Sequence, residues 1–373
     1  MKIGIDARLY GPKQGGLGRY LEQLITNLEK IDSKNDYFIF LKKDNWDEYQ
    51  PKNKNFTKVL TDIHWYSLKE QLIFPKILKK YQLNLMHFPH WNIPIFYRKN
   101  FIVTIHDLIL LKYPSRKAST LGPIKYFFKN LAYKIVLKNA VKKSKHIIAV
   151  SEHTKKDIIE YFNIKPEKIT TTLLGCLPTN YAKGTNDNEI LQKYNITKPY
   201  IVYAGSGYPH KNVEMLLDAW KNYLKKYGNK HHLVLVWKKD YFYEKLEQKV
   251  KTENITNVIF TGFIGTDLPI IYKNADLYVF PTLYEGFGLP PLEAMQQNTP
   301  VISSNASCMP EILKDAALFF NPNDKNEIIK TIHTGLTDQN LRAELKLKGQ
   351  NILPEYSWIK TAQKTLEIYE NKV

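Results

Sequence analysis

The sequence is short of cysteine. Cys176 and Cys308 are the only two in 373 residues, far apart and in no metal-ligand spacing. That argues against a disulfide-stapled secreted domain and for a reducing compartment. Arginine is scarce as well: positions 8, 19, 98, 116 and 342 hold the five among 54 basic residues. No run approaches the ~20 apolar residues needed to cross a bilayer. The opening Met1-Lys2-Ile3-Gly4-Ile5-Asp6 has no signal-peptide core and reads as a first buried strand. The expectation is therefore a cytoplasmic protein, resting if anywhere on the inner face of a membrane. Asp-x-Asp pairs, His/Cys clusters, G-x-G-x-x-G and the Walker loop are all missing. No metal and no cofactor are expected, and dinucleotide or P-loop chemistry is excluded.

What is abundant is lysine, with asparagine, isoleucine and tyrosine, and a formal net charge of +18. A nucleic-acid partner is one reading of such a charge. The composition favours a solvated lysine surface, and no nucleic acid is expected. One stretch stands apart. From Leu108 to Ser151 there is no acidic residue, while basic residues recur from Lys112 to Lys145, Arg116 and Lys117 among them. Its centre, Ile124–Lys143, reads as a helix after Pro123, with Phe127, Phe128, Leu131, Ile135 and Leu137 supplying apolar contacts. Such a helix fits two settings: flat on anionic lipid headgroups, or packed on its own domain with its lysines in water.

A hydrophobic fraction of 43% over 373 residues supplies two cores. Strand-like and helix-like segments alternate throughout, the pattern of parallel α/β sheets. Strands are expected at 2–6, 37–41, 83–88, 102–105, 146–150 and 170–174. After a Pro/Gly/Asn/Thr-rich linker at Pro178–Asn188, a second series follows at 200–204, 233–237, 258–261, 277–280, 301–304 and 318–321. The domains expected are 1–177, joined by a C-terminal helix at 355–373, and 178–354. Doubly wound sheets bind ligands at the carboxyl ends of their strands.

The most telling string sits at such an end: Glu285-Gly286-Phe287-Gly288-Leu289-Pro290-Pro291-Leu292-Glu293. Gly286 and Gly288 let the backbone turn and approach a ligand. The helix that follows presents amide donors and a positive dipole end to an anion. Two carboxylates beside an anion site suit a sugar nucleotide, since they accept from hydroxyls. Taken alone, the two glutamates would also serve simply to stabilise a helix start.

The whole string resembles the E-x7-E signature of retaining glycosyltransferases of the GT-B fold, in the large family 4 (glycosyl transferases group 1, mannosyltransferase-like). The resemblance extends over nearly all of the chain and is strongest at 200–322. It implies two Rossmann-like doubly wound domains facing a cleft. The first takes the acceptor, the second the nucleotide sugar, and the last helix crosses back onto the first. It also implies roles. Glu293 would bind the ribose, and Gly286, Phe287, Gly288 and Leu289 the diphosphate. Glu285 would orient the hexose without becoming a nucleophile, the leaving phosphate taking the acceptor's proton on the same face.

Other motifs carry the same resemblance. Gly15-Gly16-Leu17-Gly18-Arg19 after the first strand reads as a glycine loop before a helix, either a plain tight turn or a phosphate approach. The family reading makes Gly16 a donor contact and Arg19 a candidate for phosphate or acceptor. His106-Asp107 ends the fourth strand; by resemblance His106 touches the donor sugar, while Asp107 shapes the loop. In Pro209-His210-Lys211-Asn212 the family places Lys211 on the diphosphate. An arginine is usual a few residues upstream. Ser206 stands near that place instead, so His210 is a candidate helper. Trp237 occupies a strand end where the family commonly has glycine. Pro310-Glu311 and Asp315 also match, in architectural roles. The implied reaction is transfer of a hexose, mannose favoured, from GDP-mannose or a UDP-hexose to a glycan or lipid-linked glycan of a surface polysaccharide. Rival readings are a sugar-nucleotide epimerase or hydrolase, and a non-catalytic basic binder of polyanions or membranes.

Overall fold

The computed structural model describes residues 1–114, 122–176 and 186–372. They divide into two compact units, one of residues 1–112, 122–175 and 356–372, the other of 113–114, 176 and 186–355. Tyr113 groups with the second unit because its hydroxyl donates to the Leu283 carbonyl at 3.4 Å and its ring stands 5.7 Å from Tyr284. The break expected at 177/178 lies outside the described residues, as do Arg116, Lys117 and most of the linker Pro178–Asn188. The end of that linker is not loop: Asn186 caps the helix Asp187–Lys193 by accepting from the Asn188 amide.

The first unit is built on seven strands: β1 (Lys2–Asp6), β2 (Asp36–Leu41), β3 (Phe56–Leu60), β4 (Leu85–Phe88), β5 (Phe101–Ile105), β6 (His146–Ala149) and β7 (Ile169–Thr171). All pair in parallel, in the order β3-β2-β1-β4-β5-β6-β7. The second carries β8 (Tyr200–Ala204), β9 (His232–Val236), β10 (Val258–Gly262), β11 (Leu277–Phe280), β12 (Val301–Ser304) and β13 (Ala317–Phe320). These too are parallel, in the order β10-β9-β8-β11-β12-β13. Central strands such as β5 and β8 are buried along their whole length, as they must be when helices cover both faces. Each sheet reverses its winding once, between β1 and β4 in the first and between β8 and β11 in the second. That switch point opens a crevice at the strand ends, where doubly wound sheets place ligands.

The edge strand β3 is not anticipated by the sequence. Only Phe56 and Val59 of Phe-Thr-Lys-Val-Leu are buried, so it lacks the continuous apolar run of a central strand.

The C-terminal helix Trp358–Asn371 belongs to the first unit. Trp358, Thr361, Ala362, Thr365, Ile368 and Tyr369 form its buried face, at helical spacing. Polar contacts fix its position. Thr361 donates to the Leu173 carbonyl at 2.7 Å. The Tyr369 hydroxyl meets His87 Nδ1 at 2.7 Å, His87 Nε2 meets Thr104 Oγ1 at 2.8 Å, and Thr104 Oγ1 meets the Tyr20 hydroxyl at 3.1 Å. This chain ties the helix to β4 and β5, and burial pushes the His87 pKa down to about 3, so the imidazole is neutral.

The basic helix spans Pro123–Lys143, but its apolar residues are used differently from expectation. Tyr133, Leu137, Ala140 and Val141 pack into the core of the first unit. Ile124, Phe127 and Phe128 stay 72%, 64% and 62% exposed, and Leu131 and Ile135 are exposed too. The helix is anchored through its C-terminal half alone, which leaves the apolar residues of its N-terminal half in solvent. Among the described residues no helix is long and apolar enough to cross a membrane.

Candidate functional site

In the second unit the strands beside the switch point, β8 and β11, deliver the two charged groups singled out from sequence. After β8 the chain makes a tight turn at Pro209–Lys211, and Asn212, at φ 60°, starts the helix Val213–Tyr227. After β11 it runs through Pro281–Glu285 into the helix Leu289–Gln296. The two loops are laced together. Leu283 N and Thr282 Oγ1 donate to the His210 carbonyl at 2.7 and 3.1 Å. Asn212 Nδ2 donates to the carbonyls of Pro281 and Pro322 at 3.1 and 2.8 Å, so it holds the ends of β8, β11 and β13 together.

This lacing brings Lys211 against Glu285, and the ammonium donates directly to Glu285 Oε1. Both side chains are largely buried, at 18% and 11% exposure. Thr282 Oγ1 stands 3.5 Å from the same carboxylate oxygen, and the Phe280 ring lies 5.9 Å beneath the ammonium. Burial, and then the negative charge of Glu285, push the Tyr203 hydroxyl well above its ordinary pKa. That hydroxyl donates to the Ser206 carbonyl at 2.7 Å, so the residue where the family usually has arginine is part of a folded turn. His210 does not add a second cation. Burial and the neighbouring Lys211 hold its pKa near 3, and its neutral ring stacks on Tyr208 with centroids 5.9 Å apart.

The glycine-rich loop is fixed from behind by residues that sequence reasoning missed. The Glu285 amide donates to Ser307 Oγ at 3.0 Å, and Ser307 sits at φ 53°. The Cys308 thiol reaches the carbonyls of Glu285 and Phe287, each at 3.3 Å. Cys308 is fully buried, and burial pushes its thiol pKa well up, so it acts as a clamp rather than a nucleophile. Its position shortly after a strand end was the available signal. Gly288 takes φ 94°, and a Cβ there would lie 2.4 Å from Met309 Cε. Only glycine fits. Pro290 and Pro291 carry no amide hydrogen, which narrows the donors at the helix start to Gly288 and Leu289. Gly286 and Phe287 are buried, Leu289 is half-buried, and Glu293 is half-buried one turn into the helix. Burial, then the neighbouring tyrosines, and last the charges of Glu293 and Glu285 raise the pKa of the Tyr278 hydroxyl.

Trp237 fills the space beyond β9. It is buried, and its ring meets Tyr203, Tyr243 and Phe260 at centroid distances of 5.9, 5.5 and 6.0 Å. It therefore belongs to the aromatic packing behind the Gly205–Gly207 turn.

In the first unit, His106 directly follows the last residue of β5. Its Nε2 lies 2.9 Å from the Pro89 carbonyl and so must donate, which makes Nδ1 the acceptor in the neutral ring. Burial lowers its pKa to about 4, so the ring is neutral near pH 7. Tyr20 packs edge-on against it at 4.8 Å. Asp107 Oδ1 accepts from the Ile109 amide at 3.0 Å, the loop-shaping role expected of it. The glycine loop needs correction: the helix Gly15–Ile31 begins at Gly15 itself, directly after the turn Pro12–Gln14. Gly18 is required by packing, since a Cβ would meet the Gly11 carbonyl oxygen at 1.9 Å. Gly16 is exposed with nothing within 4 Å of that point, so no contact within the described residues demands glycine there. Arg19 is half-buried on the same helix. Among the described residues no group of three His, Cys, Asp or Glu could hold a metal ion.

Comparison with known proteins bears on the family and the fold. The family model "Glycosyltransferase Family 4" matches residues 14–175, and "Glycosyl transferases group 1" matches 186–352. The chain is 29% identical over 303 residues to the O-antigen chain mannosyltransferase B of Escherichia coli, covering 79% of this chain and 76% of that one. It is 29% identical over 275 residues to the O-antigen chain mannosyltransferase RfbU of Salmonella typhimurium, covering 73% and 70%. Among solved structures, HepE of Anabaena in complex with UDP and glucose superposes with a TM-score of 0.75 at 16% identity, covering 99% of each chain. WaaG, a glycosyltransferase involved in lipopolysaccharide biosynthesis, gives a TM-score of 0.74 at 15% identity over 100% of each. The two family models together span most of the length, and the chain belongs to family 4 of the glycosyltransferases, with the GT-B fold.

Proposed function

We propose that this glycosyltransferase moves a hexose, with retention, from a nucleotide diphosphate sugar to a hydroxyl of a glycan or lipid-linked glycan in surface polysaccharide synthesis. The observation that carries the reading is the convergence of Lys211, Glu285 and an amide-bearing helix start at the β8/β11 switch point. A diphosphate takes Lys211 and the amides of Gly288 and Leu289, which stabilise the charge that grows on the leaving group. Glu293 accepts from the ribose hydroxyls and Glu285 from the hexose. To the first unit the proposal assigns His106, whose neutral Nδ1 accepts from a hexose hydroxyl, Gly16 as a donor contact, and Arg19 as a phosphate or acceptor contact. The bond from the anomeric carbon to the phosphate oxygen breaks while the acceptor oxygen bonds to the same face. The acceptor's proton passes to the departing phosphate. Glu285 offsets positive charge on the sugar throughout, and no metal takes part.

Mannose is the favoured hexose, because the relatives with the stated identities are named mannosyltransferases; a UDP-hexose is the alternative, in view of HepE with its UDP. A lipid-linked acceptor agrees with the exposed phenylalanines and lysines of the helix Pro123–Lys143, which suit contact with an anionic membrane surface. The decisive experiment is product analysis with GDP-mannose and UDP-hexoses, with and without a lipid-linked glycan. An acceptor-dependent α-linked product supports transfer. Release of free sugar or an epimerised nucleotide without acceptor would replace it with hydrolysis or epimerisation. A polyanion affinity unchanged by loss of Glu285, with no turnover, would leave a non-catalytic binder.

A further inference from the structure

The contact between Lys211 and Glu285 joins two groups to which the proposed function, on which this inference rests, gives different parts of one substrate. Lys211 is assigned the diphosphate and Glu285 the hexose, yet each is the other's ion-pair partner. The pair is mostly shielded from water, with the Phe280 ring beneath the ammonium and Thr282 beside the carboxylate. An ion pair in such surroundings is poorly replaced by solvent: separating it leaves a charge that water cannot fully stabilise.

Consider what a nucleotide must do to bind. A diphosphate takes Lys211 through charge-assisted hydrogen bonds, and these are stronger than neutral ones. Glu285 then loses its counter-charge. An intact nucleotide sugar compensates, because the hexose brings hydroxyl donors to the carboxylate. A nucleoside diphosphate without its sugar brings none, and its terminal phosphate sets a like charge near Glu285. The backbone of Glu285 is pinned by Ser307 and Cys308, so the carboxylate has little freedom to turn away.

We propose that the Lys211–Glu285 ion pair makes the site select nucleotides that still carry their sugar, and that its re-formation after transfer helps to expel the spent nucleoside diphosphate. Glu285 is thereby a specificity-determining residue as well as a contact to the hexose. The pair opens when donor enters, stays open while hexose hydroxyls occupy Glu285, and closes again once the sugar has gone.

The direction of this effect is unusual for a substrate-binding carboxylate, which makes it easy to test. Calorimetric titrations would compare wild type, Glu285→Gln and Lys211→Met with GDP, UDP, GDP-mannose and UDP-glucose, after thermal melting has checked that each variant is folded. Glu285→Gln keeps the size of the side chain, and the bond from its amide to Ser307 is a backbone one. The expected result is that Glu285→Gln binds the matching nucleoside diphosphate about tenfold tighter than wild type. It binds the corresponding nucleotide sugar no tighter, so the preference for donor over product shrinks. Lys211→Met loses affinity for both. Glu285→Asp, which keeps the charge but withdraws it by one methylene, gives an intermediate tightening and serves if the Gln variant is unstable. Nucleoside diphosphate binding that is unchanged or weaker in both Glu285 variants, with wild type binding normally, would overturn the inference and leave the transferase reading intact. Wild type that binds no nucleotide at all would overturn both.

Discussion

Lys211 and Glu285 are 74 residues apart in the chain and form a direct, mostly buried ion pair. Because it bridges the loops after β8 and β11, it supports the local fold as well as the proposed chemistry. Replacing Lys211 with methionine leaves Glu285 without its counter-charge. The expected loss is about 3 kcal/mol of stability, read by denaturant unfolding, together with loss of nucleotide binding in calorimetry.

Glu293 is proposed to accept from the ribose hydroxyls. Two hydrogen bonds to a charged acceptor contribute about 1.5–3 kcal/mol each at best. Glu293→Ala is expected to weaken binding of the cognate nucleotide at least about tenfold, with thermal melting used to check that the variant is folded. Equal affinities in the two proteins would remove Glu293 from the donor site.

Gly288 sits at φ 94° with Met309 where a Cβ would go. Gly288→Ala combines backbone strain of about 1–3 kcal/mol with that steric overlap. A clear fall in unfolding midpoint and a larger fall in transfer rate are expected, since the amide of Gly288 moves with the strain.

His87 links the C-terminal helix to the first sheet, and its folded-state pKa of about 3 lies below the ordinary 6.5. As the pH falls below 6.5, the unfolded chain takes up a proton that the folded one refuses. The stability is complete above 6.5 and is lost as the pH falls towards 3. Between pH 7.5 and pH 5 His87 accounts for a loss of about 2 kcal/mol. His106, lowered to about 4, acts in the same direction. Denaturant melts at both pH values should show this drop, and His87→Gln should make it smaller. Tyr369→Phe removes one hydrogen bond from the chain and should lower stability by about 1 kcal/mol at pH 7.5.

Phe127 and Phe128 touch little of the protein. The double change to serine is expected to leave unfolding unchanged and to reduce binding to phosphatidylglycerol vesicles several-fold in sedimentation. Neutral phosphatidylcholine vesicles should bind neither form well, because the lysines of this helix supply the attraction to anionic lipid. Vesicle binding that survives the change would remove the two phenylalanines from the membrane contact.

Much of this protein is legible in its amino-acid order, for local reasons. Parallel strands covered by helices read as short apolar runs, so twelve of the thirteen described strands stand out, while β3, with Thr57 and Lys58 on an edge, does not. The string from Glu285 to Glu293 announces a turn, a helix start and two carboxylates, because glycine and proline state their backbone requirements locally. The helix Pro123–Lys143 shows the limit of such reading: its periodicity predicts a helix, but which of its turns would be covered depended on how far the rest of the first unit extends beneath it.

The sequence by itself determined the fold class, the family and the identity of the charged groups, since these rest on hydrophobic runs and on motifs only a few residues long. Tertiary structure alone decided that Lys211 and Glu285 meet, that Ser307 and Cys308 brace the loop between the carboxylates, and that His210 and His106 are neutral. The reason is physical. Strand order in a parallel sheet joins residues that are distant in the chain, and burial, which sets both charge state and partner, belongs to the assembled sheet and not to any segment of it.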